Sequence, residues 1–283
     1  MQPTWLALAA LHVSVALFGF AGLFGKWLAM GALAIVLGRT LVAAVSLLAV
    51  VAMRRTHASP DLGLALNGIV LAIHWTTFFA AIQRTSVAIG LLGYATFPLF
   101  VLLLERLMLD RRWTRREVST ATLVTLGLGV LVPSFDIGDA TLQGLALGVV
   151  SGFTFALLAV RSRRYAATHA PALVALYQNA FAACALFPLV LVADVMQVPS
   201  RDDIALIIVL GVVCTALAHT LFIASLTRLS AHTASVVAAL EPVYGIVLAA
   251  FLLGEQPTLR TLIGAALIVG AALVATRSAR VAV

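Results

Sequence analysis

Charged residues are scarce in this sequence. Only 10% of its 283 residues are Asp, Glu, Lys or Arg, while 63% are hydrophobic. A soluble domain is about half apolar and about a quarter charged, so this composition excludes an ordinary water-soluble fold. No long polar linker or low-complexity segment separates the apolar stretches. The composition therefore indicates a chain that lies mostly within a lipid bilayer.

Cysteines and deeply placed carboxylates are also few. The two cysteines, Cys184 and Cys214, suit neither a disulfide nor a metal cluster. No set of His, Cys, Asp and Glu has metal-ligand spacing, so we expect no metal and no cofactor. The run Gly19–Lys26 is not a phosphate-binding loop, because Trp27 stands where Ser or Thr is needed. Nor is a nucleophile placed beside a base, so we expect no catalytic residue and no enzyme.

Ten apolar stretches have the length of about 20 residues that a membrane-spanning helix requires. They cover residues 5–25, 32–53, 61–82, 86–108, 116–133, 142–160, 171–194, 203–226, 230–251 and 258–276. The predicted fold class is therefore all-α: a polytopic membrane protein with ten transmembrane helices.

The second half of the sequence repeats the first half. A shift of 144 positions places Arg84 on Arg228, Ser86 on Ser230 and Pro98 on Pro242. We predict a first repeat at residues 1–135 and a second at 136–283, with five spans each. An odd number of spans gives the halves opposite orientations in the bilayer. Inverted repeats are typical of transporters that work by alternating access, with substrate held between the halves.

The net charge of +7 is distributed unevenly between the predicted loops. With a cytoplasmic N-terminus, thirteen of the eighteen Lys and Arg residues fall on the cytoplasmic side. This is the positive-inside bias of membrane proteins. It predicts a multi-pass protein of a bacterial-type inner membrane with both termini in the cytoplasm, and it requires no nucleic-acid partner.

Polar side chains within the spans are the candidates for a substrate pathway, since polar groups at membrane depth face the interior of a helix bundle. The candidate substrate-binding residues are Arg39, His74, Gln178, Asn179, His219 and Glu241, with the aromatic residues Trp75, Tyr94, Phe155, Tyr177 and Tyr244. Each histidine has the alternative of being a hydrogen-bonded core residue. Three interpretations of Glu241 are open: an ion pair with Arg39, a contact to a cationic group of the substrate, or a titrating group that couples proton movement.

Two prolines lie at equivalent points in the middle of spans. Pro98 and Pro242 each remove a backbone donor and clash with the preceding helical turn. We expect conformational hinges at both positions, because interrupted helices in both halves point to a binding site between them. The alternative is a static kink.

The sequence resembles a known family. The run Thr227–Pro242, followed by Leu252-Leu-Gly-Glu255, resembles the signature of the EamA family in the drug/metabolite transporter superfamily. A weaker copy occurs at Ala81–Ser86 and Phe97-Pro98. The resemblance implies ten helices in two inverted five-helix repeats around a central cavity. Within the family, the chain is similar to YddG-type exporters of aromatic amino acids.

We therefore expect a secondary transporter that exports small metabolites, namely amino acids with aromatic or large apolar side chains. Its partners are this small-molecule substrate and the lipid bilayer, and the sequence leaves the oligomeric state open. One alternative is an exchanger of nucleotide-sugars or sugar phosphates, which would need several cations in its pocket where only Arg39 qualifies. Another is a membrane-embedded enzyme or structural subunit.

Overall fold

The computed structural model describes residues 4–56, 58–109, 114–131, 136, 138–193 and 199–279. Throughout these ranges the regular structure is helical, and no strand occurs in them. In chain order the α-helices are α1 (Thr4–Trp27), α2 (Ala32–Met53), α3 (Leu62–Arg84), α4 (Val87–Tyr94), α5 (Phe97–Leu109), α6 (Arg115–Leu131), α7 (Ala140–Ala166), α8 (Pro171–Val192), α9 (Arg201–Gly211), α10 (Ala218–Ser225), α11 (Ala231–Ala238), α12 (Glu241–Leu252) and α13 (Leu259–Ala279).

Seven helical segments are long and apolar enough to cross a bilayer. They are Thr4–Trp27, Ala32–Met53, Leu62–Arg84, Val87–Met108, Ala140–Ala166, Pro171–Val192 and Arg201–Ser225. Shorter apolar helices at Thr122–Leu131, Glu241–Leu252 and Leu259–Ala271 overlap the remaining predicted stretches. These findings confirm an all-helical, polytopic membrane fold. The count of ten spans and the inverted relation of the halves stay predictions, as does the boundary at residue 135, because residues 132–135 and 137 lie outside the described ranges.

Two spans are interrupted where the sequence places a proline. The first interruption separates α4 from α5 at Ala95 and Thr96, and the second separates α11 from α12 at Ala239 and Leu240. In each case the proline is the second residue of the following helix, a position that requires no backbone donor. The two interruptions are 144 positions apart in the sequence, so the same break occurs in both halves.

A third irregularity was not predicted from the sequence. The π-helical segment Val212–Leu217 joins α9 to α10 without a break. Thr215 contributes to this geometry, because its hydroxyl donates to the Leu210 carbonyl at 2.7 Å, five residues back. Single π-helical turns inside longer helices are frequent at functional sites.

Glycines allow four helices to approach closely around the centre of the fold. A Cβ on Gly148 of α7 would lie 2.9 Å from the Cα of Gly93 in α4. A Cβ on Gly19 of α1 would lie 3.0 Å from the carbonyl oxygen of Glu241 in α12. Small residues at helix crossings have this role in membrane proteins. Tyr94 and Glu241 adjoin the two interruptions. These contacts place both residues between the packed helices.

Candidate functional site

A cavity lies between α1, α2, α3, α4, α7, α10 and α12. The cavity is narrow, with a volume of about 20 Å³. That is room for about one water molecule. The lining residues are Phe18, Ala21, Arg39, Leu71, His74, Trp75, Phe78, Tyr94, Phe155, Leu158, His219 and Glu241.

Most of the predicted site residues meet in this cavity. Those that line it are Arg39, His74, Trp75, Tyr94, Phe155, His219 and Glu241. The apolar side chains of the lining, such as Phe18, Leu71 and Phe78, were not predicted from the sequence. No sequence signal distinguishes them, because an apolar residue on a helix face packs equally well into an ordinary core.

Tyr177 and Gln178 do not line the cavity. The Tyr177 hydroxyl donates to the carbonyl oxygen of Ala58 at 2.5 Å, near the start of α3. The side-chain amide of Gln178 donates to the Ser162 hydroxyl at 2.8 Å, between α8 and α7. Tyr177 thus ties α8 to the segment before α3, and Gln178 ties α8 to α7.

Asn179 and Tyr244 lie behind the cavity wall. The Asn179 Nδ2 lies 3.3 Å from Nδ1 of His219, so Asn179 supports a lining residue without lining the cavity itself. Tyr244 is partly buried against the core, and its Cβ lies beside Gly19 where α1 meets α12. For Tyr177, Gln178, Asn179 and Tyr244, a direct contact to substrate stays a prediction.

Arg39 is held by the π-helical segment. Its Nε donates to Thr215 Oγ1 at 2.9 Å, and its Nη2 donates to the Cys214 carbonyl at 3.3 Å. The guanidinium carbon lies 3.9 Å from the centre of the Trp75 ring and 5.3 Å from that of Phe79. Both distances are within the range of cation–π attraction. These contacts keep a cation at the cavity wall without a direct salt bridge to a carboxylate.

Glu241 also faces the cavity, as the first residue of α12. The partial positive charge of a helix N-terminus stabilises a carboxylate there. Glu241 Oε2 is buried and has no hydrogen-bond partner among the described residues. The direct ion pair with Arg39, the first of the three interpretations, is absent, because Arg39 donates to Thr215 and Cys214 instead. This corrects that interpretation.

The two histidines are anchored by their Nδ1 atoms. His74 Nδ1 lies 3.0 Å from the carbonyl oxygen and 2.9 Å from the hydroxyl of Ser151 on α7. His219 Nδ1 lies 3.3 Å from Asn179 Nδ2 on α8. Both rings line the cavity. In the part of the chain that the structure describes, no group of three His, Cys, Asp or Glu side chains is placed to hold a metal ion.

Aromatic rings form much of the wall beside His74. Its ring centre lies 5.6 Å from that of Tyr94, 5.1 Å from that of Phe155 and 6.2 Å from that of Phe78. Tyr94 stacks on Phe97 at 5.0 Å, directly before Pro98. Movement at this interruption would therefore displace the aromatic wall.

Polar contacts tie the helices together at one end of the bundle, where α3 begins. The Tyr165 hydroxyl donates to both carboxylate oxygens of Asp61, at 2.8 and 3.0 Å. Arg161 donates to Asn67 at 2.5 Å and to the Gly63 carbonyl at 3.2 Å. These bonds join α3 to α7. We call this end of the bundle the Asp61 end.

The carboxylate of Asp61 is stabilised in its charged form. The backbone N–H of Leu64 and then the Tyr165 hydroxyl hold the pKa of Asp61 below its usual value. Asp61 also caps α3, since it accepts from Leu64 N at 2.8 Å.

The opposite end of the bundle, where α3 finishes, has its own contacts. The Lys26 ammonium donates to the Thr85 carbonyl at 2.8 Å and thereby ties α1 to α3. Both carboxylate oxygens of Glu255 accept from Val87 N at 3.1 Å, at the start of α4. We refer to this end of the bundle as the Thr85 end. The cavity therefore lies between the contacts of the Asp61 end and those of the Thr85 end.

A family model with the description EamA-like transporter family matches the chain twice, at residues 5–132 and 142–277. Together the matches cover most of the sequence.

The named relatives are also a transporter and an exporter. The chain is 32% identical to an uncharacterized transporter from Archaeoglobus fulgidus, over 79% of each chain. It is 28% identical to the threonine/homoserine exporter RhtA of Escherichia coli, over 72% of this chain and 67% of that one. One crystal structure shares the fold, with a TM-score of 0.73 and 20% identity over 95% of this chain and 98% of that one.

Proposed function

Because the chain belongs to the EamA-like transporter family and is a multi-pass membrane protein, we propose that it is a secondary transporter that exports amino acids by alternating access. One observation carries the amino-acid assignment. The cavity holds a cation, Arg39, and a carboxylate, Glu241, that do not pair with each other. An amino acid zwitterion has the two opposite charges that this arrangement would complement. The relatives named as threonine/homoserine exporters support the same substrate class.

For the side chain of the substrate we propose aromatic or large apolar groups. Trp75, Phe78, Tyr94 and Phe155 surround the histidines with flat apolar surface. Aromatic pairs contribute about 0.5–1.5 kcal/mol beyond the burial of area. Such walls favour a flat apolar side chain over a sugar or a phosphate.

A second candidate is a small amino acid of the size of threonine. The narrow cavity favours it, since its volume is only about 20 Å³. The named relatives support it as well. An aromatic substrate requires a wider cavity than a small one, and we propose that bending at the interruptions beside Tyr94 and Glu241 would widen it.

The exchange of nucleotide-sugars is less well supported. Among the described residues that line the cavity, Arg39 is the one permanent cation, and a diphosphate would need several.

The alternating-access mechanism would release either the Asp61 end or the Thr85 end while the other stays tied. We place the protein in a bacterial-type inner membrane with both termini in the cytoplasm.

Uptake into proteoliposomes that contain only this protein tests the proposal. Labelled phenylalanine, threonine and a nucleotide-sugar are compared, with protein-free vesicles as the control. We expect an amino acid to enter faster than in the control and to be competed by its unlabelled form. Entry of the nucleotide-sugar alone would overturn the amino-acid assignment, and preference between the two amino acids decides between the aromatic and the small substrate.

A further inference from the structure

The Phe155 ring is enclosed by aromatic rings from four other helices. Its centre lies within about 5.5 Å of the centres of all four rings, which is a contact distance for aromatic pairs. The distances are 5.1 Å to His74 on α3, 5.4 Å to Tyr94 on α4, 5.1 Å to Phe97 on α5 and 5.2 Å to Phe222 on α10. Phe155 also lines the cavity, so its ring lies between the cavity and this aromatic cluster.

The other aromatic residues of the lining have different surroundings. The guanidinium carbon of Arg39 lies 3.9 Å from the centre of the Trp75 ring, and Tyr94 carries a hydroxyl group. The rings that contact Phe78 lie on α3 and α4. Phe155 has no polar group, and the rings around it come from both halves of the chain. Removal of its ring would therefore take away no hydrogen bond and would leave only space.

The backbone of α7 fixes Phe155 beside the first interruption. Gly152 lies about one helical turn before Phe155, and a Cβ there would lie 2.7 Å from the Tyr94 carbonyl oxygen and 3.2 Å from the nitrogen of Phe97. Tyr94 ends α4, Phe97 begins α5, and their rings stack at 5.0 Å. Phe155 contacts both of these rings. A change of the angle between α4 and α5 would therefore alter the space around the Phe155 ring.

The cavity has no room for the side chain of a large amino acid while the Phe155 ring is in place. Its volume of about 20 Å³ corresponds to about one water molecule. An apolar cavity of about 150 Å³ is large enough to bind benzene. The Phe155 ring has the size and shape of the side chain of free phenylalanine. The space that it fills therefore has the dimensions and the aromatic lining that an aromatic substrate requires.

We propose that Phe155 is the specificity-determining residue of the site, because its ring fills the space that the side chain of a large amino acid would occupy. This inference rests on the proposed export of amino acids. A small amino acid binds with the Phe155 ring in place. An aromatic amino acid requires the ring to move away, together with the interruption beside it. A smaller residue at position 155 removes this requirement.

The width of the cavity is tested without any amino acid. Leu158 also lines the cavity, so Leu158→Cys is labelled in a background of Cys184→Ser and Cys214→Ala. Two thiol reagents are compared, methyl methanethiosulfonate and the larger benzyl methanethiosulfonate, and each rate is divided by the rate of the same reagent with free cysteine. The measurement is made with Phe155 present, in Phe155→Ala and in Phe153→Ala.

Phe153→Ala is the matched control. Phe153 lies on the same helix α7, but its ring packs on Phe100 at 5.4 Å and does not line the cavity. With Phe155 present, we expect the benzyl reagent to react at least about tenfold more slowly than the methyl reagent, and this difference should persist in Phe153→Ala. In Phe155→Ala it should shrink by about tenfold. Equal rates of the two reagents with Phe155 present, or an unchanged difference in Phe155→Ala, would overturn the inference.

The specificity is tested by uptake of labelled phenylalanine and labelled threonine into proteoliposomes. The ratio of the two uptake rates is the relevant quantity, because a general loss of stability lowers both rates alike. We expect Phe155→Ala to shift the ratio towards phenylalanine by at least about tenfold and Phe155→Trp to shift it towards threonine, while Phe153→Ala keeps the ratio of the parent. A shift towards threonine in Phe155→Ala would show that the ring is a wall on which the substrate stacks, and would overturn the inference.

The two experiments distinguish this inference from the proposed function. If the parent protein moves amino acids but Phe155→Ala has an unchanged ratio, the inference falls and the proposed function stands. If the parent moves no amino acid, the proposed function falls and the specificity with it, while the labelling still decides whether Phe155 sets the width of the cavity. Phe155→Leu replaces Phe155→Ala if that variant does not fold.

Discussion

Arg39 and Glu241 face one cavity from α2 and α12, yet they do not form an ion pair. Arg39 Nε donates to Thr215 Oγ1 at 2.9 Å, whereas Glu241 Oε2 has no hydrogen-bond partner among the described residues. A buried ion pair cancels both charges and is broken only at a high cost. Two separate charges remain able to bind a ligand that carries both signs.

The first prediction concerns Glu241→Gln. Because Oε2 has no bond to lose and a buried charge is unfavourable, we expect the melting temperature in detergent to stay unchanged or to rise. Amino-acid uptake should nevertheless fall by about tenfold or more, since a charge-assisted bond to the ammonium is lost. Glu255→Gln is the comparison, because both Glu255 oxygens accept from Val87 N and its loss should lower stability. An equal loss of stability in both variants would contradict the prediction.

The second prediction concerns the anchor of Arg39. Thr215→Val leaves Arg39 Nε without its acceptor, and we expect a loss of about 1–3 kcal/mol in the free energy of unfolding. Thr220→Val is the matched control, because the Thr220 hydroxyl is buried without a hydrogen-bond partner among the described residues. It should be neutral or stabilising. In an Arg39→Met background the effect of Thr215→Val should shrink, and an undiminished effect would show that the hydroxyl acts on the π-helical segment alone.

The depth of the site residues could be predicted from the sequence, but their direction around each helix could not. Polar residues within apolar stretches led correctly to a central position for Arg39, His74, His219 and Glu241. Tyr177 and Gln178 lie a similar number of residues into α8 and yet do not line the cavity. Successive residues of a helix point about 100° apart, so the packing of neighbouring helices decides which of them faces inward.

The fold was predictable where a single residue enforces it. The two interruptions could be predicted from Pro98 and Pro242, because a proline cannot continue the preceding hydrogen-bond pattern. The π-helical segment Val212–Leu217 had no such signal. Its carbonyl and hydroxyl groups bind Arg39 from another helix, which is a contact between residues about 175 positions apart.

The third prediction concerns the interruptions. In Pro98→Ala and Pro242→Ala, a backbone N–H becomes available to join the two half-helices, and we expect straighter and stiffer spans. The maximal rate of uptake should fall by several-fold, with a smaller change in the half-saturating concentration. Pro188→Ala is the control, since Pro188 lies inside the continuous helix α8. Loss of rate in all three variants would show that proline removal acts through general stability.

The fourth prediction concerns the Asp61 end. Tyr165→Phe removes both bonds to Asp61, so conformations open at this end should become more populated, by about fivefold for a bond of about 1 kcal/mol. The rate at which a thiol reagent labels Leu158→Cys in the cavity, in a background of Cys184→Ser and Cys214→Ala, measures this opening. Ser46→Ala, which removes a hydroxyl that donates to the Val42 carbonyl within α2, should leave the labelling rate unchanged. An unchanged rate in Tyr165→Phe would show that this contact does not limit opening.

The same contact predicts a pH dependence. The folded-state pKa of Asp61 is lowered by Leu64 N–H and the Tyr165 hydroxyl. Its stabilising effect is therefore complete above the unfolded-state pKa and is lost as the pH falls through the lower, folded-state value. At neutral pH, we expect the thiol reagent to label Leu158→Cys faster in the Asp61→Asn variant than in its parent. The difference between the two labelling rates should decrease as the pH falls. A difference that grows as the pH falls would contradict this assignment.

The last prediction concerns the topology, which the uneven distribution of Lys and Arg predicts. Gly138 and Thr168 flank α7 at its two ends, and both residues are exposed. In the background without Cys184 and Cys214, an impermeant thiol reagent applied to intact cells should label Gly138→Cys and not Thr168→Cys. Thr168→Cys should become labelled only after the membrane is made permeable, which also serves as the control that this site reacts. Labelling of Thr168→Cys alone in intact cells would place the termini outside, because α7 and the basic loops are fixed to one another by the chain.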